Sequence, residues 1–517
     1  MPKIKVNGRE IDAPADKVLL ETCLDHGIDV PHYCWHRGLS PHGNCRMCLV
    51  KLSTNPRKPE IACMTRPSEG MEVTTEGPEI DGHRKAVLEY MLVNHPLDCP
   101  ICDKAGECDL QDFTFKYRDG VSRTKDPRET KGTVDLGPNV KIWGSRCIAC
   151  TRCVRFCEEI AGTSELSLIN RGNHSVAGVH PGVTLDNPMS LNVVDICPVG
   201  ALIDKNFLYQ ARVWFAKKTE TVCGGCSKGC NVTVTTLSGH LKRIKPRTNP
   251  AVNQFWMCDA GRLGWRWVEG PDRLKVARGS VAEAASGLSA AFTQHGRGAI
   301  GIVASSAQTT ESLYLLKQLA DASGAVVGFV GATGPEWTSK SGWRIEADKS
   351  PNTAGIQRVF GAVPGLDAVQ SAAANGQLRA LVVVNGLPGA PFPEAFVAAA
   401  ASVPLRIVAD VQDSALAQRA QVVWPLAAWL EEDGTWFNVD GRVQRIHAAL
   451  PPPGMARAAT EWLGALLLEL GVRAETSSTS ALFAEATGLE WDRVGGAGWA
   501  PSASAQPGDA VAQPGAK

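Results

Sequence analysis

Fifteen cysteines and one histidine stand in four sets whose spacing suits metal ligation. The first set is Cys34, Cys45 and Cys48 in "CWHRGLSPHGNCRMC", followed by Cys63 in "IACMTRP". The second is "HPLDCPICDKAGEC", with Cys99, Cys102 and Cys108 and with His95 four positions ahead of the first cysteine. The third is "CIACTRCVRFC", giving Cys147, Cys150 and Cys153, completed by the distant Cys197 of "CPVGAL". The fourth is "CGGCSKGC", giving Cys223, Cys226 and Cys230, with Cys258 in "FWMCDAGRLG". Thiolates are soft donors that suit iron–sulfur clusters or zinc, and a two-residue gap lets one loop present two of them. The chain holds 17 cysteines, none after Cys258. An odd count in a chain whose charged start, "MPKIKVNGREIDAPADK", is unlike a secretory leader argues against a disulfide framework.

His95 needs its own weighing. The preceding "HRKAVLEYMLVNHP" reads as a helix with Leu88, Met91, Leu92 and His95 on one face and Pro96 ending it. Taken alone, His95 reads as a helix-terminal residue well placed against the helix dipole. Beside three cysteines it is the nearest candidate for the fourth ligand that a thiolate-held metal normally needs. One histidine with three cysteines also suits zinc. Two cysteines stay outside the sets: Cys23, in "LLETCLDHG", reads as a small apolar helix residue, and Cys157 reads as a non-ligand, because no second run follows to use it.

Cys147, Cys150 and Cys153 with a remote Cys197-Pro198 reproduce the bacterial ferredoxin pattern for a [4Fe-4S] cluster. The first set resembles a plant-type ferredoxin with a [2Fe-2S] cluster, although its first gap is ten residues rather than about four. The glycines of the fourth set let the backbone approach sulfur closely; zinc ribbons look similar, but beside an evident iron–sulfur site a third [4Fe-4S] cluster is the better reading. Taken in order, the four sets and the phrase "SRCIACTRCVRFCEEIAG" make residues 1 to about 272 resemble the 75 kDa iron–sulfur (bacterial G-type) subunit family of NADH–quinone oxidoreductase, respiratory complex I. The resemblance implies a [2Fe-2S] cluster on Cys34, Cys45, Cys48 and Cys63. It implies [4Fe-4S] clusters on His95, Cys99, Cys102 and Cys108 and on Cys147, Cys150, Cys153 and Cys197. The set Cys223, Cys226, Cys230 and Cys258 resembles the extra cluster of some bacterial members, off the main electron route. On this reading His95 ligates iron. A neutral imidazole in place of a thiolate lowers the negative charge of a cluster and favours its reduced state, as in Rieske centres.

The elements that must hold these ligands differ along the chain. "KIKVNGREIDAP" reads as strands joined by a Gly turn in a small β-rich fold. From about residue 273, "GAIGIVASS", "GAVVGFVG", "LRALVVVNGLPG" and "LRIVADVQDSALAQRA" alternate with helical stretches such as "TESLYLLKQLADAS", as in an α/β domain with a parallel sheet. "EEDGTWFNVDGRVQR" resembles a motif of molybdopterin oxidoreductases. The fold class is therefore α+β and multidomain. A β-grasp ferredoxin-like domain spans 1–80, and a [4Fe-4S] segment with one histidine and three cysteines spans 81–120. A bacterial ferredoxin-like [4Fe-4S] domain covers 121–215, and a molybdopterin-oxidoreductase-type [4Fe-4S] domain covers 216–272. A molybdopterin-oxidoreductase-like α/β domain without metal covers 273–494, and a Gly/Ala/Pro/Ser-rich tail over 495–517 is expected to be disordered.

Function classes narrow accordingly. Lysines and arginines balance aspartates and glutamates, 53 of each, so no nucleic-acid footprint is expected. No run of about 18 uncharged apolar residues offers a membrane span. No cysteine follows Cys258 to bind molybdenum, so no molybdopterin is expected. "GFVGATGPEW" lacks the dinucleotide fingerprint, which puts flavin and NADH on another subunit. The resemblance implies an electron-transfer subunit of the peripheral arm, with no complete active site of its own. Its partners would be a flavin/NADH-binding subunit and quinone-side iron–sulfur subunits. It would lie on the cytoplasmic side of the bacterial inner membrane and meet the membrane only through partners. Soluble NAD-linked hydrogenases and formate dehydrogenases use related modules, and a zinc-stabilised scaffold is the alternative without redox chemistry.

Overall fold

The computed structural model describes residues 1–117, 122–125, 127–389 and 392–500. The chain forms two compact units, one of Met1–Ala216 with Thr338–Trp343, the other of Lys217–Trp337 and the chain from Arg344 onward.

The first unit opens with alternation. In Lys3–Val6, Ile4 and Val6 are buried while Lys3 and Lys5 face out, the pattern of a strand with one covered face. This strand pairs antiparallel with Arg9–Asp12 and parallel with Glu72–Thr74. Glu72–Thr74 in turn joins Leu49–Leu52 and Asn55–Ile61 to complete a five-stranded sheet. The helix Leu19–Asp25 buries Leu19, Leu20 and Cys23. Cys23 packs as expected, and burial pushes its thiol up to about 12, so it is inert. The helix Pro78–Leu92 starts with Pro at its first turn and ends three residues before His95. His95 thus lies beyond the helix rather than on its face, because the approach of Pro96 turns the chain out of helical geometry early.

In the second unit, strands Val326–Val330, Ile300–Ser305, Ala380–Asn385, Leu405–Asp410 and Val422–Pro425 form a parallel sheet in that order. Ile300–Ser305 and Ala380–Asn385 are buried along their whole length, as parallel strands covered on both faces must be. Alternate residues serve opposite faces. Ile302, Val382 and Ile407 pack against Leu288, Leu316 and Leu466 of flanking helices, while Val303, Val383 and Val408 pack against Val369 and Phe396 on the other side. Val281–His295 begins with a capping box in which Ser280 and Glu283 satisfy each other's backbone amides. A separate three-stranded meander, Lys217–Val222, Asn231–Leu237 and His240–Pro246, carries the fourth cysteine set.

The tail departs from expectation at its start. Trp499 exchanges two backbone hydrogen bonds with Val443, at 2.9 and 2.8 Å, and packs against the cluster of Phe437, Val443 and Phe483. The carbonyls of Gly496 and Ala497 accept from Asn231 and Asn249. Composition alone missed that one tryptophan supplies enough apolar surface to dock the segment through Ala500. The rest of the expected tail, 501–517, lies outside the described residues.

Candidate metal centres

The first set converges from three places in the sheet unit. Cys34 lies in the loop after Val30, Cys45 and Cys48 precede the strand Leu49–Leu52, and Cys63 follows Asn55–Ile61. All four are buried. Their thiols are close enough to influence one another, Cys34 with Cys45 and Cys63, and Cys63 with Cys48. The backbone of Asn44 and Cys45 favours the Cys34 thiolate. Arg46, between the two close cysteines, takes a φ of 58° and stays exposed. Such a left-handed residue is uncommon outside glycine and turns the loop sharply at the ligands.

In the third set, Cys147 ends a short turn and Cys150 and Cys153 flank the start of the helix Arg152–Arg155. Cys197 follows Asn192–Asp195. Cys147, Cys150 and Cys153 all feel the charge of Cys197. Ala149 and Thr151, on either side of Cys150, have φ of 52° and 64°, and the Ala149 amide donates to Cys147 Sγ at 3.4 Å. Cys157 is buried at a π-helical turn, where burial and the Glu165 carboxylate push its thiol well up.

The second set surrounds a small cavity lined by His95, Asp98, Cys99, Cys102, Cys108 and Arg146 among others. The backbone of Lys104 favours the charged form of Cys102, and that of Leu110 and Gln111 the charged form of Cys108, against the burial that raises both thiols. Burial, with the Arg146 charge, pushes the His95 imidazole down to about 4. It is therefore neutral at physiological pH, the form that ligates metal. Cys99 is exposed, Cys102 partly so, and Cys108 buried. Gly200 closes the cavity: a Cβ there would come within 2.1 Å of Cys102 Sγ.

The fourth set lies wholly in the second unit. Cys230 feels the charges of Cys223, Cys226 and Cys258. Amides are turned onto the sulfurs, Gly225 onto Cys223 at 3.4 Å and Gly261 onto Cys258 at 3.3 Å. A Cβ at Gly261 would meet Cys223 Sγ at 2.9 Å. The hairpin of Gly434–Phe437 and Val443–Ile446 grips this loop. The Val439 amide donates to the Ser227 carbonyl, Asn438 Nδ2 to the Lys228 carbonyl, and Gln444 Nε2 to the Gly229 carbonyl. Two further residues of "EEDGTWFNVDGRVQR" tie the hairpin to its own unit. Glu431 pairs with buried Arg273 at 2.5 Å, and Thr435 donates to Glu311 from both its amide and its hydroxyl.

Hydrogen bonds from residues next to ligands connect the first three sets. Arg155 donates to the carbonyls of Cys34 and Ser40, and Arg152 to those of Trp35 and Ile196. Asn44 Nδ2 donates to the Ala149 carbonyl at 3.0 Å. Arg152 and Arg155 are thus buried clamps between the first and third sets, not solvated charges. Between the third and second sets, Arg146 pairs with Asp98 at 2.8 Å, and the Asp109 amide donates to the Pro198 carbonyl at 3.1 Å. The first and second sets meet through the rings of Tyr33 and Phe113, 5.4 Å apart. Spacing arguments missed Asp98, Arg146 and Gly200. Only the position of Arg146 directly before Cys147 hinted at a role, and nothing in the sequence ties it to Cys102.

Family models cover the chain in the same order. Residues 2–78 match a 2Fe-2S iron-sulfur cluster binding domain. Residues 84–123 match the NADH-ubiquinone oxidoreductase-G iron-sulfur binding region, and 137–203 the ferredoxin-like domain of NADH-quinone oxidoreductase subunit 3. Over its cluster-binding half the chain is similar to the 75 kDa iron–sulfur subunits of complex I. Beyond it, residues 216–270 match a molybdopterin oxidoreductase Fe4S4 domain and 327–467 a molybdopterin oxidoreductase domain, in agreement with the expected multidomain fold. The NADH-quinone oxidoreductase G-type subunit of Rickettsia felis is 36% identical over 328 residues, which are 62% of this chain and 49% of that protein. The NADH-ubiquinone oxidoreductase 75 kDa subunit of Reclinomonas americana is 38% identical over 51% of this chain and 38% of its own length. The 78 kDa subunit of Neurospora crassa is 41% identical over 50% of this chain and 35% of its own. The chain therefore spans half or less of the length of these relatives. A chain of an NAD+-reducing [NiFe]-hydrogenase is 25% identical over 41% of this chain and 91% of its own, with a TM-score of 0.38, too loose a likeness to bear on function.

Proposed function

We propose that this chain, similar over its first half to the 75 kDa subunits, is an electron relay of the peripheral arm of an NADH:quinone oxidoreductase. It takes electrons from a flavin subunit that oxidises NADH and passes them toward quinone through further iron–sulfur subunits. The first set would hold a [2Fe-2S] cluster, and the His95, Cys147 and Cys223 sets a [4Fe-4S] cluster each. Such clusters supply one-electron chemistry when bound. The chain's own part is to fix their spacing, bury them and aim amides at their sulfurs, which sets their potentials. No bond chemistry is assigned to this chain. Attachment to the cytoplasmic face of a bacterial inner membrane would come through partners, in keeping with the lack, among the described residues, of any helix long and apolar enough to cross a membrane.

The observation that carries this reading is the hydrogen-bonded adjacency of the first, third and second sets. The chain order is first, second, third, and the ligand-flanking bonds support a relay order of first, third, second. Exposed Cys99, with the exposed apolar side chains Leu97, Ile101, Trp214 and Phe215, supports the second set as the end that would face a redox partner. The matches of the first three sets to cluster-binding family models support clusters over zinc. The α/β unit is proposed as a metal-free support, since its hairpin grips the fourth set.

Anaerobically purified protein should contain about fourteen irons, from one two-iron and three four-iron clusters, and no molybdenum. His95→Ala should remove the EPR signal of one [4Fe-4S] cluster and spare the rest. Zinc in place of iron would return the chain to a scaffold, and a His95→Ala protein with unchanged iron and spectra would defeat the ligand assignment.

A further inference from the structure

We propose that Arg146 sets the reduction potential of the cluster held by His95, Cys99, Cys102 and Cys108, acting as a fixed buried positive charge in the wall of its cavity. This rests on the iron–sulfur reading of that set. Arg146 comes from the loop of the third set, directly before Cys147, yet its side chain lines the cavity of the second. It is 1% exposed. Its Nε donates to Asp98 at 2.9 Å, its Nη1 reaches the Gly200 carbonyl at 3.5 Å, and its guanidinium lies 4.3 Å from the centre of the Trp143 ring. Its Nη2 completes the ion pair, 2.8 Å from Asp98. A buried donor is rarely left without an acceptor. The donors of this cavity are three thiolates and an imidazole, and the group they would hold carries acceptor sulfur and net negative charge. A guanidinium carries five N–H donors, and those left over by Asp98 and the Gly200 carbonyl fit such an occupant.

The physical sign is fixed. With three thiolates and a neutral imidazole, gaining one electron makes the cluster more negative. A cation held a few ångströms away in a poorly solvated wall stabilises the reduced form more than the oxidised form. Arg146 thus raises the potential, while Asp98, its counter-ion, opposes it. The other cations nearby are Lys104, Arg128 and Arg212, the last donating to the Cys102 carbonyl, while His95 is neutral. The assignment differs in kind from that of Arg152 and Arg155, whose guanidinium groups donate to backbone carbonyls and clamp loops.

The test is a redox titration of the full chain, followed by EPR, for wild type, Arg146→Gln, Arg146→Lys and Asp98→Asn. Removing the charge in Arg146→Gln should shift the oxidised-to-reduced ratio of this one cluster about tenfold toward oxidised at a given potential, a fall of ~59 mV for one electron. Arg146→Lys should keep most of the wild-type potential. Asp98→Asn, which frees the arginine charge, should move it the other way. The remaining clusters serve as internal references and should not move. A cluster that is retained in Arg146→Gln with an unchanged potential, or that shifts in the same direction in Arg146→Gln and Asp98→Asn, would overturn the proposal. If Arg146→Gln loses the cluster, the sign of the Asp98→Asn shift still decides. Absence of the His95-set signal from the wild type would instead defeat the site assignment on which the proposal stands.

Discussion

At the scale of single residues, a thiolate that is to hold a metal needs room beside its sulfur, and Gly200 leaves that room for Cys102. Short gaps between cysteines confine thiolates to one loop, so the four sets could be read from spacing alone. Gly200 could not. Its need for hydrogen in place of a methyl comes from Cys102, which is distant in sequence, and a Cβ would stand 2.1 Å from that sulfur. No bonded or van der Waals adjustment short of moving the ligand relieves such an approach. Gly200→Ala should therefore cost the protein the His95-set cluster, read as a loss of about four irons per chain and of one EPR signal, with the first-set [2Fe-2S] spectrum intact. Full retention of iron would mean that Cys102 points elsewhere. Cys157 marks the opposite case, a cysteine in a ligand-like run whose thiol burial and the Glu165 carboxylate push well up.

At the scale of elements, periodicity located the parallel strands and the helix Thr310–Ser323, because fully buried strands and amphipathic helices leave their mark in composition. It placed His95 on a helix that ends at Leu92, since helix ends are set by local turns more than by period. It also could not show that Asp410, at the end of the strand Leu405–Asp410, is buried with one carboxyl oxygen lacking any partner. Burial pushes Asp410 and Glu311 up to about 7 each. Between roughly pH 4 and 7 the folded chain keeps protons on these carboxyls that the unfolded chain has already released, so stability falls as pH rises through that window. The two groups together should make the second unit less stable at pH 8 than at pH 5 by several kcal/mol, on the order of 3 for each, seen as a lower denaturant midpoint. Asp410→Asn, which mimics the protonated form and keeps the acceptor for Asn385 and Val411 amides, should flatten the slope. A slope equal to that of the wild type would show that Asp410 is ionised in the folded protein.

At the scale of the whole molecule, the order of the centres in space could not be read from their order in the chain. The bonds that decide it run from Arg155 to Cys34, from Asn44 to Ala149 and from Arg146 to Asp98, between residues that no spacing rule relates. On the proposed relay order the Cys147 set stands between the other two, and Cys99 of the His95 set is exposed. A relay requires this kind of serial contact, whereas a scaffold stabilised by separate metals does not. The most direct test is pulsed EPR of the fully reduced protein, measuring the magnetic interaction between each pair of clusters. The first–third and third–second pairs should couple more strongly than the first–second pair, with the weakest of the three interactions between the Cys34 and His95 sets. A first–second coupling stronger than either of the others would contradict the relay order on which this account rests.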